Sequence, residues 1–449
     1  MKKIILSLLF TCVGLSLITC ASDLDTFLVV SPASLTFTES GQSQQITIAG
    51  SGAWKLVSKP VWCSLSPDIT TGNGVQTIHV TVHTAPYGTG KANITWASID
   101  NRITTSVAID ASALTLPGTE LTDESYYQYR SCSKGPGINL VLMGDGYTAN
   151  QLASGGKYET DMWSAVDAFF AIEPYTTYQD YFNVYIIGAV SKDQGIGTGG
   201  TARDTKFKAY HTSGSSMYAS NIDLCFTLAE TIPGVNCFDS AIILIANSTQ
   251  FGGTCHTEYW SPPGKGRSVA ICPSNPNGAS LVPIVQHEAG GHGFGRLADE
   301  YWTNGETIDQ EGKNYLLMWQ NLGYDRNVSI INNPEDVSWS SFIKNQTKYW
   351  MVGTYQGAYQ YQFGVWRSEN HSCMRENDPY FNAPSRALIV ERIKNLADEP
   401  FSIEWFMSND HFTPYARNNT YSMEKQLMQP PLPPPVRTVM NQYSNNEHY

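Results

Sequence analysis

No block of basic residues occurs anywhere in this chain of 449 residues. Lysine and arginine number 28 against 40 aspartates and glutamates, for a formal net charge of -12. Nothing here is suited to displacing counterions from phosphate, which excludes nucleic acid as a partner. The nine cysteines include no Cys-x-x-Cys pair, so a cysteine zinc knot is excluded too. The apolar run Ile4 to Ile18 falls short of a membrane span, which needs about 20 residues. Gly195 to Gly200 lacks the lysine and the strand-turn-helix setting of a phosphate cradle and reads as a surface loop. What the chain does hold is 41% hydrophobic and 12% aromatic residues, enough for sizeable cores in two or three domains.

The short apolar run follows Met1-Lys2-Lys3, the layout of a signal peptide, and implies export. It ends in Leu17-Ile18-Thr19-Cys20-Ala21-Ser22, which resembles a bacterial lipoprotein box. The resemblance implies a signal peptide over residues 1–19, lipid on Cys20, and an outer-membrane lipoprotein facing the periplasm or the cell surface. Such a chain is anchored to a membrane and does not span it. Seven cysteines remain beyond the export segment, an odd number that cannot all pair internally. An oxidising compartment permits Cys225 with Cys237, or Cys255 with Cys272.

From Leu28 to Ala97, short segments alternate apolar and polar residues between clusters of Gly, Ser, Pro and Asn. Examples are Ile46-Thr47-Ile48, Ala53 to Val57, Ile78 to Val82 and Ala92 to Ala97, a spacing that predicts a small β-sandwich over residues 26–113. Val30-Ser31-Pro32, Trp62-Cys63-Ser64-Leu65-Ser66-Pro67 and the closing strands resemble the BACON domain, an immunoglobulin-like module of Bacteroidetes exoproteins. The resemblance implies a spacer or a domain contacting mucin and glycans. Trp54, Trp62 and Trp96 are candidates for a sugar-stacking face, weighed against burial in the sandwich core.

Beyond residue 118 the pattern changes to strands alternating with helices. Ile138 to Met143, Phe182 to Ile187, Ala241 to Ala246 and Arg267 to Cys272 read as buried strands of a mostly parallel sheet. Tyr158 to Ile172 and Ser385 to Leu396 read as helices, the second capped by Ser385. Pro283 is placed to open a helix carrying His287. The tail from 423 to 449 holds Pro430-Pro431-Leu432-Pro433-Pro434-Pro435 and reads as extended or disordered.

The chemistry concentrates in Gln286-His287-Glu288-Ala289-Gly290-Gly291-His292-Gly293-Phe294-Gly295-Arg296-Leu297-Ala298-Asp299-Glu300-Tyr301. Two histidines flank a glutamate, the residue types of a zinc site with its base. Five residues separate the histidines, and a regular α-helix would turn them roughly 140° apart. A π-bulge at Gly290 and Gly291 restores a common face. His287 and His292 then supply two ligands of Zn2+ and Glu288 the general base. Asp299 is favoured as third ligand, with Glu300 and His371 as alternatives, and Gly295 is expected to end the helix in a left-handed conformation. Zincins with a His-Glu-x-x-Gly-His motif resemble this arrangement. Asn370-His371-Ser372-Cys373-Met374-Arg375 resembles a metzincin Met-turn, with Met374 beneath the metal. Tyr380, Tyr301 and Asp299 remain open as partners of an oxyanion. Phe251 to Gly253 and Arg267 to Cys272 are both candidates for an edge strand that binds extended peptide.

Together, Asn139 to Thr148, Tyr181-Phe182-Asn183-Val184 and Phe294 to Tyr301 resemble peptidase family M64, the IgA-peptidase family. This implies a zinc-dependent endopeptidase over residues 118–422, with His287, Glu288 and His292 in their family roles. The expected fold is multidomain: an all-β immunoglobulin-like sandwich, then an α/β (α+β) zincin- or metzincin-like domain. The expected partners are a protein or glycoprotein substrate, glycan through the N-terminal domain, and a membrane only through the lipid anchor. Two other functions fit the sequence less fully: a non-catalytic glycan-binding lipoprotein, and a zinc amidohydrolase acting on a non-peptide amide.

Overall fold

The computed structural model describes residues 26–39, 41–60, 62–67, 71–82, 90–100, 102–114, 121–212, 214–261, 263–277, 280–410 and 431–441. The expected signal peptide and Cys20 lie outside these residues. The N-terminal strands are Leu28–Ser31 (β1), Ser34–Thr36 (β2), Ser43–Ser58 (β3), Cys63–Ser66 (β4), Thr71–Val82 (β5), Lys91–Ser98 (β6) and Thr104–Asp110 (β7). They run in the order β2-β7-β6-β3-β5-β4, with β1 also on β3. All pairs are antiparallel except β2 with β7. The segments Ile46 to Ile48 and Ala53 to Val57 are one strand, β3, whose pairing with β5 is interrupted between Ala49 and Ala53. Trp54 and Trp96 are wholly buried beside Ile46, Ile78 and Val107. They therefore offer no face to a sugar. Trp62 is partly buried and packs against both this core and that of the following domain.

The second domain holds Tyr126–Arg130 (β8), Ile138–Asp145 (β9), Phe182–Ile187 (β10), Ala209–His211 (β11), Met217–Ala219 (β12), Ala241–Ala246 (β13), Thr254–Ser261 (β14) and Lys265–Pro273 (β15). Further on come Trp302–Thr307 (β16), Val328–Ser329 (β17), Tyr355–Ala358 (β18), Gln360–Arg367 (β19) and Val436–Asn441 (β20). The main sheet runs β20-β14-β15-β13-β9-β10-β8. Its four central strands are parallel, β8 is antiparallel to β10, and β14 is antiparallel to β15. Both faces are covered, which is why β13 reads as an unbroken apolar run. Period-two alternation splits it cleanly: Leu140, Leu142, Ile243 and Ile245 face one core, while Val141, Met143, Ile242 and Leu244 face the other.

The helix Lys157–Phe170 packs on the first face with the segment that carries the histidines. Phe169, Tyr175, Phe182, Phe294 and Phe381 interlock beneath it, with ring centroids 4.4 to 6.2 Å apart. On the far side Asp145, at the end of β9, is buried and accepts hydrogen bonds from Ser191, Thr205, Phe207 and Ala209. That explains an aspartate in the Gly144 to Tyr147 motif as a loop anchor.

Three expectations need correction. The helix expected to start at Ser385 spans Ala383–Leu396 and is capped by Asn382, whose side chain accepts from Ser385 N–H. Pro384 suits the first helical turn, where an N–H has no partner to lose, so the helix starts ahead of it and Asn382 takes the capping position. The tail is not disordered throughout: residues 436–441 form β20, parallel to β14. Finally, Cys63, Cys132, Cys225, Cys237, Cys255, Cys272 and Cys373 are all free thiols, so neither Cys225–Cys237 nor Cys255–Cys272 is bridged.

Candidate metal centre

Ser280 caps a short α-helix, Leu281–Val285, by accepting from Val282 N–H. The chain then widens into a π-helix over Gln286–Phe294. Its signature is the i to i+5 bond from Gly295 N–H to the Gly290 carbonyl, 2.9 Å. Widening brings residues five apart over one another, which is what the spacing of the two histidines demands. Glycine is required on the inner side of this turn. A Cβ at Gly291 would collide with Met374 Sδ, and one at Gly290 would press on Tyr175, whose hydroxyl donates to the Gly290 carbonyl at 2.6 Å.

Gly295 does not end the helix in the left-handed region, as expected; its φ is -70°. Arg296 takes that conformation, with φ 54°. Glycine is needed at 295 for another reason, since a Cβ there would lie 2.7 Å from the Gly290 carbonyl oxygen.

Three side chains converge at the end of this segment. His287 Nε2 and His292 Nε2 are 3.1 Å apart, and each lies 3.2 Å from Asp299 Oδ1. All three residues are buried. Each remaining ring nitrogen is engaged: His287 Nδ1 sits 3.0 Å from the Cys373 carbonyl and His292 Nδ1 2.8 Å from the Leu297 carbonyl. An Nδ1–H donating to a carbonyl leaves an Nε2 lone pair, so two lone pairs and a carboxylate meet at one point. Such a group is arranged as a candidate site for a shared cation. Ligands at about 2.0 to 2.1 Å around a tetrahedral ion stand about 3.3 Å from each other, and the spacing here matches that. With only a proton to share, burial raises the cost of charge on Asp299, yet the two histidines hold its carboxyl down to about 2.

Asp299 is fixed by its second oxygen, which accepts from Gln360 Nε2 at 3.1 Å. Tyr359 and Gln360 occupy the left-handed region, with φ 54° and 70°. Each such residue costs roughly 1 to 3 kcal/mol, and two main-chain bonds hold the turn, Tyr359 N–H to the Asp299 carbonyl and Gln360 N–H to the Tyr301 carbonyl. Sequence reading missed Gln360 because nothing in the local pattern marks it.

Glu300 points the opposite way. It is buried and accepts from Asn327, Ser372 and Asn382, so it braces the loop and stands outside the His287, His292 and Asp299 group. His371 is exposed and pairs with Glu376 at 2.8 Å. Both alternatives for the third donor are thus set aside. Met374 is buried beneath Gly291, and its carbonyl accepts from Glu300 N–H at 2.8 Å. The Tyr380 hydroxyl donates to Glu369 at 2.7 Å, whereas Tyr301 donates to the Leu432 carbonyl.

Glu288 is fully buried, and neither carboxylate oxygen meets a hydrogen-bond partner among the described residues. Burial pushes its pKa up to about 7, with the two histidines opposing. An unpartnered buried carboxylate is costly and concentrates at functional sites. The residue that leads into β14 approaches it closely: a Cβ at Gly253 would lie 3.0 Å from Glu288 Cγ. The strand beside the site is therefore the one that follows Phe251 to Gly253, and Arg267 to Cys272 lies inside the sheet, between β13 and β14.

No curated protein matches the chain. Among solved structures, a Bacteroides ovatus GH5 xyloglucanase in complex with a XXXG heptasaccharide is 21% identical over 25% of this chain and 26% of that one. This chain thus spans about a quarter of that one's length, and the TM-score of 0.17 carries no argument. A family model described as IgA Peptidase M64 matches residues 127–351. The match covers just over half of the 449 residues and includes His287, Glu288, His292, Asp299 and the strands that position them. The chain belongs to the IgA peptidase M64 family.

Proposed function

We propose that this chain is a zinc-dependent endopeptidase that hydrolyses extracellular proteins or glycoproteins. The observation that carries the reading is the convergence of two imidazole nitrogens and one carboxylate oxygen beside a buried, unpartnered glutamate. Two nitrogens and an oxygen at tetrahedral spacing suit zinc, and three protein donors leave a fourth position free for chemistry. Bound there, zinc would supply Lewis acidity, lowering the pKa of a water and polarising a peptide carbonyl.

The chain's own residues do the rest. His287 and His292 present their lone pairs because the Cys373 and Leu297 carbonyls fix their tautomers. Glu288, poised by burial near neutrality, takes a proton from the attacking water and returns it to the leaving amine. An extended substrate would be held by main-chain hydrogen bonds along a sheet edge, and β14, which starts beside Glu288, could supply them on the side that β20 covers. Lipid on Cys20 and export would present this site to extracellular protein, and the N-terminal strands would serve as an immunoglobulin-like spacer. Burial of Trp54 and Trp96 weighs against a glycan-binding function as the main one.

Metal analysis by mass spectrometry on the mature chain tests the reading. About one zinc per chain is expected, lost in His292→Ala. Absence of metal after zinc supplementation would overturn it.

A further inference from the structure

We infer that the C-terminal segment Pro431–Asn441 is an internal occupant of the peptide-binding edge, a strap that competes with substrate for β14. The inference rests on the peptidase reading and deepens it. β14 is bonded on one side to β15, and its other side is the edge on which an extended peptide would lie. β20 already lies there: Val436 to Asn441 pair in parallel with His256 to Ser261.

The strap passes the site before it reaches the sheet. Ser215 Oγ donates to the Pro431 carbonyl at 3.1 Å, and the Tyr301 hydroxyl donates to the Leu432 carbonyl. Ser215 also accepts from Gly253 N–H, the residue packed on Glu288, and Tyr301 follows Asp299 by two positions. Leu432 is 1% exposed and belongs to the core that contains Ile284, Val285 and Ala289. Leu432 thereby seats the tail in the core of the domain.

One residue anchors the strand. Arg437 forms a buried ion pair with Asp325 and lies over the rings of Trp319 and Tyr324, 5.2 and 5.4 Å from their centroids. Its guanidinium also approaches the Leu297 carbonyl at 3.5 Å, the same oxygen that orients His292. The prolines at 431 and 433 to 435 keep the lead-in extended and lower the entropy lost on docking. Tethering in cis gives an effective concentration in the millimolar range. A strap open in about one molecule in ten raises the apparent KM about ten-fold and leaves kcat alone.

The test uses Thr438→Pro and Val439→Pro in the full chain, both positions being exposed. Successive amides face opposite sides of a strand, so one of the two variants removes a donor to β14. In that variant KM for unfolded β-casein falls about ten-fold with kcat and zinc content unchanged. A fluorescein-labelled peptide of residues 431–441 binds the same variant by anisotropy, does not bind the parent chain, and restores the parent's KM when in excess. Unchanged KM in both variants together with no peptide binding overturns the strap. If no form of the chain cleaves casein, the peptidase reading has failed, and the peptide alone decides: binding to either folded variant keeps the edge as a peptide site, and absence of binding removes it.

Discussion

His287 and His292, five residues apart in sequence, hold their Nε2 atoms 3.1 Å from each other. Only the wider π-helical turn allows this, and that turn depends on glycine at 291 over Met374. Gly291→Ala is therefore expected to destabilise the fold by about 1 to 3 kcal/mol, the range for overpacking. Met374→Ala in the same chain is expected to recover part of that loss. A double-mutant cycle from urea unfolding measures the coupling; strictly additive effects would mean that the two residues do not press on each other.

Asp299 and Glu300 are neighbours with opposite duties. Asp299→Ala is expected to lose metal while the chain stays folded. Glu300→Ala strips the partner from Asn327, Ser372 and Asn382 and is expected to cost about 3 to 5 kcal/mol, as breaking a buried charged network does. Zinc content read beside thermal unfolding separates the two, and a Glu300→Ala chain as stable as the parent would contradict the assignment.

Gln360 touches the metal group only through Asp299. Its replacement by alanine should weaken zinc binding about 10- to 100-fold, the usual cost of losing an outer partner. Competition with a chelator of known affinity gives the number, and parent-like affinity would show that the strained turn at Tyr359 and Gln360 serves something else.

For Glu288→Gln the expected outcome is a parent-like zinc content with turnover reduced about 10²- to 10⁴-fold, the contribution of a positioned general base. Substantial residual cleavage would move the base to another group.

A pH effect on stability comes from outside the centre. His211 is buried, with Nε2 2.9 Å from Ser248 Oγ and Nδ1 without a hydrogen-bond partner among the described residues. Burial pushes its pKa from 6.5 down to about 4. The unfolded chain therefore takes up the proton first. Stability from neutral His211 is complete above pH 6.5 and is lost as pH falls towards 4. His211→Asn should flatten that part of the curve of urea midpoint against pH, and an unchanged slope would assign it to other groups.

The parallel strands were legible because a doubly covered sheet writes itself as apolar runs, and Phe182 to Ile187 and Ala241 to Ala246 match to the residue. The segment that brings His287, His292 and Asp299 together was legible because His, Glu and Asp carry chemistry in their identity, and the awkward spacing itself pointed to a π-turn. What escaped was anything held by the main chain or by distance. The Cys373 and Leu297 carbonyls that set the histidine tautomers have no side-chain signature. Gln360 reaches Asp299 from a turn about 60 residues away, closed by left-handed residues that are not glycine. β20 finds β14 across the greater part of the domain, and no local periodicity encodes that register.

The unbridged cysteines bear on how such a chain matures. Cys63, Cys225, Cys237, Cys255, Cys272 and Cys373 are buried, and burial pushes their thiols up, to about 12 for Cys63 and Cys237. A thiol that stays protonated and enclosed neither attacks a disulfide nor is readily oxidised. The described domains reach their fold without forming a disulfide, so an oxidising compartment adds no cross-link to these six buried positions.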